Sequence, residues 1–341
     1  MKHILIIIMF LISSILLGCG LPAAQNNQNG TEQSGESADI PAYFLPAPTV
    51  GMDSLNSYAL DLTISFSGMR DGVSYESTDT YHQDLNQEKN AQFTYSTITQ
   101  SEGSLEQIVA GNLGEAYYSK SGDGQCKVSW GVRAEGYEPF NPTNLLPPVL
   151  AVLESDPQVI NGIQTNHYIL DEKSLGYPST TKVEGQIWLS VNGGYIMKYL
   201  LILQDESGFF GDGVKGEQEF DYELSQVNAF QGPDLPEGCL AVLTDFPITE
   251  DAYDIQRLPD ALGYSSPSDM TQIRSFYEQQ LTNLGWVLSS SAELSSDAFT
   301  LVFLNPEESK TAFITLQLEG EPTWVTVKVE AAEDLSASIL P

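Results

Sequence analysis

Apart from His3 near the N-terminus, two histidines are the side chains in this sequence best suited to metal binding or proton transfer. His82 and His167 lie far apart in the chain, and neither stands in an HxH or HExxH sequence. Those spacings matter because they turn two ligands toward one metal ion from the same strand or helix. A histidine-based zinc site therefore lacks ligands at usable spacing, and each histidine is interpreted as an ordinary strand residue.

Nucleophilic and nucleotide chemistry lack a specific signature as well. No GxSxG sequence occurs, and the acidic pattern of a calcium-binding loop is missing from the sequence. Residues 211–216 match GxGxxG, but that motif must follow a strand and open a helix, whereas here it leads from a polar loop into a predicted strand. The carboxylates are so numerous that the sequence alone does not identify any two of them as a catalytic acid–base pair. The sequence accordingly predicts no enzyme, no catalytic residue, no metal and no cofactor.

Three cysteines are present, and two of them, Cys126 and Cys239, are candidates for a disulfide bond. Such a bond persists if the chain is exported to an oxidising compartment. In the chain-entropy model, a bridge closing a loop of this length would stabilise the fold by about 4 to 5 kcal/mol. The alternative is two separately buried thiols. No CxxC sequence occurs, so neither a redox-active pair nor a zinc knuckle is indicated.

The third cysteine, Cys19, follows an apolar run near the N-terminus. Residues 4–17 are too short to span a bilayer, which takes about 20 apolar residues, and the basic Lys2 precedes them. This pattern is typical of a signal peptide, predicted over residues 1–18. Leu16-Leu17-Gly18-Cys19 resembles the lipobox of bacterial lipoproteins, in which the cysteine becomes the lipid-carrying first residue. The resemblance implies a chain anchored through Cys19 on the extracytoplasmic side of the cell membrane; the alternative is an ordinary cleaved signal.

The segment after Cys19 is predicted to be a flexible tether. Residues 19–45 begin with a polar run rich in Gln, Asn, Gly and Ser, which holds too few large apolar side chains to offset the entropy of ordering. A coil of this length would hold the folded part roughly 25 to 30 Å from the bilayer.

The charge of the chain restricts its partners. Fourteen Lys and Arg stand against 46 Asp and Glu, which gives a formal net charge of −32. A phosphate backbone would repel such a protein, so nucleic acid is excluded as a partner. Anionic headgroups would repel it too, so contact with the membrane should depend on the acyl anchor.

Alternating polar and apolar residues predict that the first domain, residues 46–236, consists of antiparallel strands. In 57–68 the apolar side chains recur with the two-residue period of a half-buried strand, and a turn rich in Gly and Asp follows. Further strands are predicted at 73–83, 91–99, 105–110, 115–119 and 127–132. Within 141–162 a dense apolar cluster predicts one short helix, with Pro147-Pro148 in its first turn.

Long strands follow, and here the sequence resembles a known family. The stretches "VINGIQTNHYILD" and "GQIWLSVNGGYIMKY", together with the preceding strands and helix, resemble LolA-like envelope proteins, especially lipoproteins of the LppX and LprG kind. The resemblance covers about residues 50–230. It implies a bent antiparallel half-barrel whose concave face, partly closed by helices, holds acyl chains.

A second, smaller α+β domain is predicted over residues 240–331, after a Pro- and Gly-rich boundary. Its helix is expected to begin with Ser266 as the cap and Pro267 in the first position and to end at Gly285. Strands are predicted at 286–290, 298–304, 311–318 and 323–330. The stretch "SDMTQIRSFYEQQLTNLGW", Ser268 to Trp286, resembles a short helix-then-Gly-Trp module appended to bacterial lipoproteins of unassigned function. The predicted fold is mainly β (α+β): a half-barrel with a short apolar helix and a small C-terminal domain.

The sequence favours a lipid-anchored, exported carrier that holds a lipid or another apolar ligand in a concave cavity. Burial of an acyl chain would supply the affinity, at about 0.8 kcal/mol per CH₂. The alternative is an envelope-sensing or interaction lipoprotein that binds a protein partner and no small molecule. Each of the cavity-lining residues named next could also be ordinary core. An error of one residue in the assignment of a strand's faces would move all the candidates of that strand to the other face. The candidate lining residues are Leu60, Leu62, Ile64 and Phe66, with Trp188, Leu200 and Ile202 opposite, and Leu146, Val149 and Leu150 as a lid.

Overall fold

A computed structural model describes most of the chain beyond the tether. The described residues are 43–44, 48–101, 103, 105–131, 140–154, 157–175, 180–318 and 322–331. The predicted signal peptide, the lipobox with Cys19 and the tether up to residue 42 lie outside them. Pro41–Pro341 form one compact unit, which contains every described strand and helix.

The larger of two sheets has thirteen antiparallel strands and is not closed. Its spatial order is β1-β8-β10-β11-β12-β13-β2-β3-β4-β5-β6-β7, with β9 paired to β10. This open antiparallel sheet confirms the predicted mainly β half-barrel. The strands are β1 (Tyr43–Phe44), β2 (Ser57–Arg70), β3 (Val73–Asn86), β4 (Ala91–Gln100), β5 (Leu105–Leu113), β6 (Ala116–Ser121), β7 (Lys127–Trp130), β8 (Ala151–Leu153), β9 (Gln158–Ile160), β10 (Ile163–Leu170), β11 (Lys182–Ser190), β12 (Ile196–Asp205) and β13 (Val214–Ser225).

The first strand of the tether region departs from the sequence prediction. Residues 19–45 are predicted as a tether, yet Tyr43 and Phe44 form β1 and pair with Val152 and Ala151 of β8. The edge of the sheet offers unpaired backbone groups at this point, and the chain satisfies them with its own residues. The sheet therefore begins before the predicted boundary.

Strands β2 and β3 form a long hairpin at the middle of the sheet. Asp71 and Gly72 connect them, both with positive φ, as a two-residue hairpin of the favoured type requires. We call the face of the sheet that carries Leu60, Leu62 and Phe66 the inner face, and the opposite face the outer face.

The main hydrophobic cluster lies on the inner face of β2, β11, β12 and β13. Leu62 is paired with Tyr222 on one side and Tyr81 on the other, and Tyr222 is in turn paired with Tyr199. Because paired residues point to the same face, the alternation of each strand brings these side chains together. Most of the cluster's members are fully buried.

The predicted apolar helix is reduced to one turn. Only Pro142–Leu145 are helical, as a 3-10 turn that Asn141 caps by accepting a hydrogen bond from the Thr143 N–H. Leu146 is extended because the following Pro147 disfavours a helical conformation in the residue before it. Prolines placed in the first turn of the predicted helix thus end it. We call residues 140–150 the covering segment, since it packs over the inner face.

The apolar side chains change faces within the larger sheet. On β4 to β7 the buried residues Phe93 and Tyr118 lie on the outer face and form a separate cluster. Leu235 and Val242, from the segment that follows β13, pack against it. The inner face of these strands is instead rich in Ser and Thr, so the sheet has two hydrophobic clusters on opposite faces.

The smaller sheet has six strands, in the order β14-β15-β19-β18-β17-β16, with one helix packed on it. Asp269, not Ser266, is the N-cap, because Asp269 and Gln272 exchange side-chain and backbone hydrogen bonds in a capping box. Ser266 instead ends a strand and donates to Asp251. The elements are β14 (Tyr253–Arg257), β15 (Ala261–Ser266), α1 (Met270–Asn283), β16 (Val287–Ser295), β17 (Ala298–Asn305), β18 (Lys310–Leu318) and β19 (Thr323–Ala331).

Candidate functional site

The centre of the inner face is filled by the protein's own side chains. Leu60 and Leu62 expose 0% and 1% of their surface. A side chain that lined a cavity wide enough for an acyl chain would remain accessible to a water-sized sphere, so these leucines belong to packed core. Leu146 and Val149 of the covering segment are buried in the same cluster. Four of the predicted lining and lid residues are therefore core.

The covering segment is bound to the sheet by hydrogen bonds. The Tyr199 hydroxyl donates to the Pro147 carbonyl at 3.0 Å, and the Thr143 hydroxyl donates to the Tyr222 hydroxyl at 3.4 Å. Leu150, the third predicted lid residue, is half-buried. These bonds satisfy the phenol groups inside the cluster and fix the segment over the centre of the sheet.

Beyond the filled centre, the inner face carries half-buried aromatic side chains. The ring of Phe66 lies 6.0 Å from that of Tyr75 and 5.4 Å from that of Phe210, and the Tyr81 ring lies 5.5 Å from that of Phe140. The predicted lining residues Ile64 and Phe66 lie here and are only half-buried. We call this surface the aromatic end, composed of Ile64, Phe66, Tyr75, Tyr81, Phe140, Phe209 and Phe210.

The size of the aromatic end follows from strand geometry. Six residues of β3 separate Tyr75 from Tyr81, which spans about 20 Å at the rise of an extended strand. Across the sheet its strand members lie on β2 and β3, so the flanking strands β13 and β4 limit its width to about 15 Å, three strand spacings. Such a surface matches one medium-sized apolar molecule.

The carboxylate of Asp79 lies within the aromatic end. Its register partners are Ile64 on β2 and Ile98 on β4, so aliphatic side chains flank it on both sides. Among the residues that the structure describes, Asp79 has no hydrogen-bond or ion-pair partner. Burial raises the pKa of its carboxyl above the ordinary value.

A tight loop after β12 holds Phe209 and Phe210 over the sheet. Its anchor is the buried Asp205, whose Oδ2 accepts the backbone N–H groups of Ser207, Gly208 and Phe209 at 2.7 to 2.8 Å. Oδ1 accepts the Thr181 hydroxyl at 2.9 Å. Burial alone would raise the pKa of Asp205, but these hydrogen bonds outweigh it and hold the pKa far below its usual range.

We expect Asp205→Asn to lower the free energy of unfolding by about 2 to 3 kcal/mol at neutral pH, because an amide cannot accept this many donors. The contribution of the carboxylate is present above the pKa of an unfolded aspartate and is lost as the pH falls through the lower folded-state value. Denaturant unfolding at several pH values measures both effects. Asp212→Asn, an exposed change just after the same loop, is the control and should shift stability by less than about 0.5 kcal/mol; equal losses in both variants would contradict the prediction.

Asp79, Asp205 and the Phe209-Phe210 pair are not among the residues predicted from the sequence. The pair carried a readable signal, since two adjacent aromatic residues stand inside the polar, glycine-rich stretch 207–213. Such a loop cannot bury both rings by itself, so they must cover something else. No local pattern distinguishes Asp79 from the other carboxylates.

No protein-family model matches this chain, and no curated protein matches it either. The resemblance to LolA-like proteins therefore stays a prediction. Function has to be inferred from the geometry of the residues themselves.

Three of the predicted lining residues lie on the wrong face. Trp188 is paired with Lys198, while Leu200 and Ile202 alternate with the inner-face residues of β12, so all three side chains are on the outer face. The prediction that they lie opposite Leu60 is wrong. For Leu200 and Ile202 the reason is that both faces of β12 are apolar, so its parity could not be read from the pattern; Trp188 of β11 follows from its pairing with β12.

The outer face near Trp188 holds a satisfied polar cluster. The ring of His167 stacks on that of Trp188 at 4.7 Å, and the Trp188 Nε1–H donates to Gln158 Oε1 at 2.8 Å. His167 Nδ1 also lies within hydrogen-bonding distance of Glu154 Oε2. His167 is a strand residue, as predicted, and its contacts with Trp188 and Glu154 stabilise the fold.

His82 is also a strand residue, and it forms ion pairs with two aspartates on the outer face. Its Nε2 lies 3.1 Å from Asp84 Oδ1 and its Nδ1 lies 2.7 Å from Asp61 Oδ1. The hydrogen bond to Asp84 and then that to Asp61 raise the pKa of His82 to about 9, against the opposite effect of burial. The imidazole is therefore charged at neutral pH and acts as a bridge between β2 and β3.

Cys126 and Cys239 form the predicted disulfide bond, with their Cα atoms 5.2 Å apart. The bond links the residue before β7 to the segment that covers the outer-face cluster. The disulfide bond therefore attaches the chain segment that connects the two sheets to the larger sheet.

In the described part of the chain, no three His, Cys, Asp or Glu residues are placed to hold a metal ion. In the same residues no helix combines the length and apolar character needed to cross a bilayer. The GxGxxG match at 211–216 runs directly into β13 and opens no helix.

Proposed function

We propose that the protein is an exported, lipid-anchored binding protein that shelters an apolar ligand at the aromatic end of its larger sheet. One observation carries the proposal: half-buried aromatic and aliphatic side chains lie together on one face, next to a fully packed core. Because β2 and β3 are long paired strands and Asp205 fixes the Phe209 loop, the surface is preformed. A preformed surface lowers the entropic cost of binding, because fewer side chains and loops have to be ordered when the ligand arrives.

The proposed site differs in position from the one that the sequence favours. Leu60 and Leu62 were expected to line a cavity, and their burial moves the available surface along β2 to Ile64 and Phe66. An acyl chain laid there would gain up to about 0.8 kcal/mol per CH₂ removed from water. The proposed resemblance to LolA-like carriers supports a ligand of this class.

The membrane anchor rests on Cys19, and its loss has a direct readout. Cys19→Ser should move the exported protein from the membrane fraction to the soluble fraction, because the proposed acyl chains can no longer be attached. Immunoblots of separated fractions measure the shift. An Asp212→Asn variant, which changes only an exposed side chain, serves as the control and should stay with the membrane; unchanged fractionation of Cys19→Ser would contradict the anchor.

Ligand binding is tested on residues 41–341, the compact unit that contains both sheets. Mass spectrometry of organic extracts should find an apolar molecule bound near one per chain. Phe210→Ala should lower its occupancy by about tenfold, because a large part of the buried ring surface is lost. Phe299→Ala removes an equally half-buried ring from the smaller sheet and is the matched control. The absence of both copurified ligand and binding of added acyl probes would overturn the proposal.

A second candidate function is an interaction or envelope-sensing lipoprotein without a small-molecule ligand. The filled centre of the inner face favours it, since Leu60, Leu62, Leu146 and Val149 leave no room among them. In that case the protein would bind an envelope protein partner, and extracts of residues 41–341 would contain no ligand. The same mass spectrometry therefore separates the two candidates.

A further inference from the structure

We propose that the apolar ligand is cationic: an amphiphile whose ammonium group pairs with Asp79 while its tail lies along the aromatic end. The inference rests on the proposed function and names the ligand class of that same site. The structural fact behind it is the half-buried carboxylate of Asp79 on an apolar surface, which has no hydrogen-bond or ion-pair partner among the described residues.

The surroundings of Asp79 make an unpaired carboxylate costly. Ile64 and Ile98 flank it across the neighbouring strands, and Tyr81 and Ser77 lie on the same face two residues away. Transfer of a charge into apolar surroundings is unfavourable unless an opposite charge or hydrogen bonds compensate it. The raised pKa of this carboxyl has burial as its sole cause. A bound cation would supply the missing compensation.

The neighbouring rings are also suited to a cation. The Arg70 guanidinium already lies 4.1 Å from the centroid of the Tyr75 ring, so the chain itself places a cation on one ring of the aromatic end. Asp79 lies four residues further along β3, about 13 Å away, beyond direct contact with that guanidinium. Tyr81 and Asp79 thus offer a ring and a carboxylate side by side without a cation from the described chain.

The size of the surface favours a small amphiphile over a protein. The aromatic end measures about 20 by 15 Å, or roughly 300 Å². A stable protein interface buries about 800 Å² on each partner. A single apolar tail with a charged head fits the available area.

The charge of the whole chain acts in the same direction. With a formal net charge of −32, the protein repels anionic amphiphiles and attracts cationic ones at long range. This attraction is unspecific and is screened by salt, whereas a pair formed at Asp79 is local and only weakly screened. An experiment at physiological salt therefore isolates the contribution of Asp79.

The test compares three probes with the same tail on residues 41–341: decyltrimethylammonium, neutral decyl glucoside and decanoate. Calorimetric titration below the micelle-forming concentrations should give the cation at least about tenfold tighter binding than the neutral probe. Asp79→Asn should weaken binding of the cation by about tenfold and leave the neutral probe within about twofold. Glu76→Gln removes the same charge from the outer face of the same strand and should change neither.

The outcomes distinguish this inference from the proposed function. Equal binding of cation and neutral probe, unaffected by Asp79→Asn but weakened by Phe210→Ala, would overturn the inference and leave the apolar site intact. A similar loss of cation binding in Glu76→Gln would show unspecific attraction and also overturn it. Failure of all probes to bind the unsubstituted protein, with no copurified ligand, would overturn the proposed function as well.

Discussion

Replacing both Cys126 and Cys239 by serine is expected to lower the free energy of unfolding by about 4 to 5 kcal/mol. The bond closes a loop across 113 positions of the chain, and the chain-entropy model assigns this magnitude to a loop of that length. Denaturant unfolding of residues 41–341 with and without the two substitutions measures the difference. The loss is large compared with the marginal stability of folded proteins.

Reduction provides the control for this prediction. Treating the unsubstituted protein with a thiol reductant should reproduce the loss, while the double variant should not respond to the reductant. The outer-face cluster around Phe93 and Tyr118 should open first, because the linked segment covers it. Equal unfolding curves for the oxidised and reduced protein would contradict the prediction.

The second large effect is expected for Leu62→Ala, which should lower the free energy of unfolding by about 3 to 5 kcal/mol. Leu62 is fully buried between Tyr222 and Tyr81, so its removal leaves a cavity that the paired strands cannot close. If Leu62 instead faced an open ligand cavity, the substitution would remove contacts with only a few neighbours. Denaturant unfolding therefore also tests whether the centre of the inner face is core.

Ile202→Ala is the matched control for Leu62→Ala. Ile202 is half-buried on the outer face of β12, and its truncation should cost no more than about 2 kcal/mol. A loss at Leu62 below about 1.5 kcal/mol, or a larger loss at Ile202, would show that the inner face is not the packed side.

The strands of this protein were readable from its sequence because their alternation is regular. The apolar residues of 57–68 recur at every second position, and all six strands predicted between residues 57 and 132 are present, although Val132 itself lies outside the described residues. Between β11 and β12 the sequence Asn192-Gly193-Gly194 is typical of a hairpin turn, and both glycines have positive φ angles. Local turn chemistry and a two-residue period are sufficient for such elements.

The predictions of the apolar helix and of the inner face of β12 were wrong for different physical reasons. Composition favoured a helix in the covering segment, but tertiary contacts of Leu146 and Val149 stabilise an irregular chain, and Pro147 blocks helix continuation. For β12 the stretch "YLLIL" is apolar at every position, so the pattern contains no information on parity. Register with β13 decides it, and register is a property of two strands.

The candidate site was only half predictable. Ile64 and Phe66 follow from the alternation of β2, whereas Asp79 becomes notable only when its partners across two strand pairs are known. The chain has 46 acidic residues, and the sequence around Asp79 does not show that aliphatic side chains flank this one in the sheet. Sites built from neighbouring strands in this way are visible in the register and not in the sequence.

The change of apolar face within the larger sheet has a consequence for cooperativity. One hydrophobic cluster stabilises β11, β12, β13 and β2, and another stabilises β4 to β7, while β3 joins them through backbone hydrogen bonds and few buried side chains. A sheet built this way can open locally at β3 and β4 without loss of its main core. We therefore expect amide hydrogens of β4 to β7 to exchange by a lower-energy opening than those of β2 and β13, so that a continuous sheet behaves as two folding units.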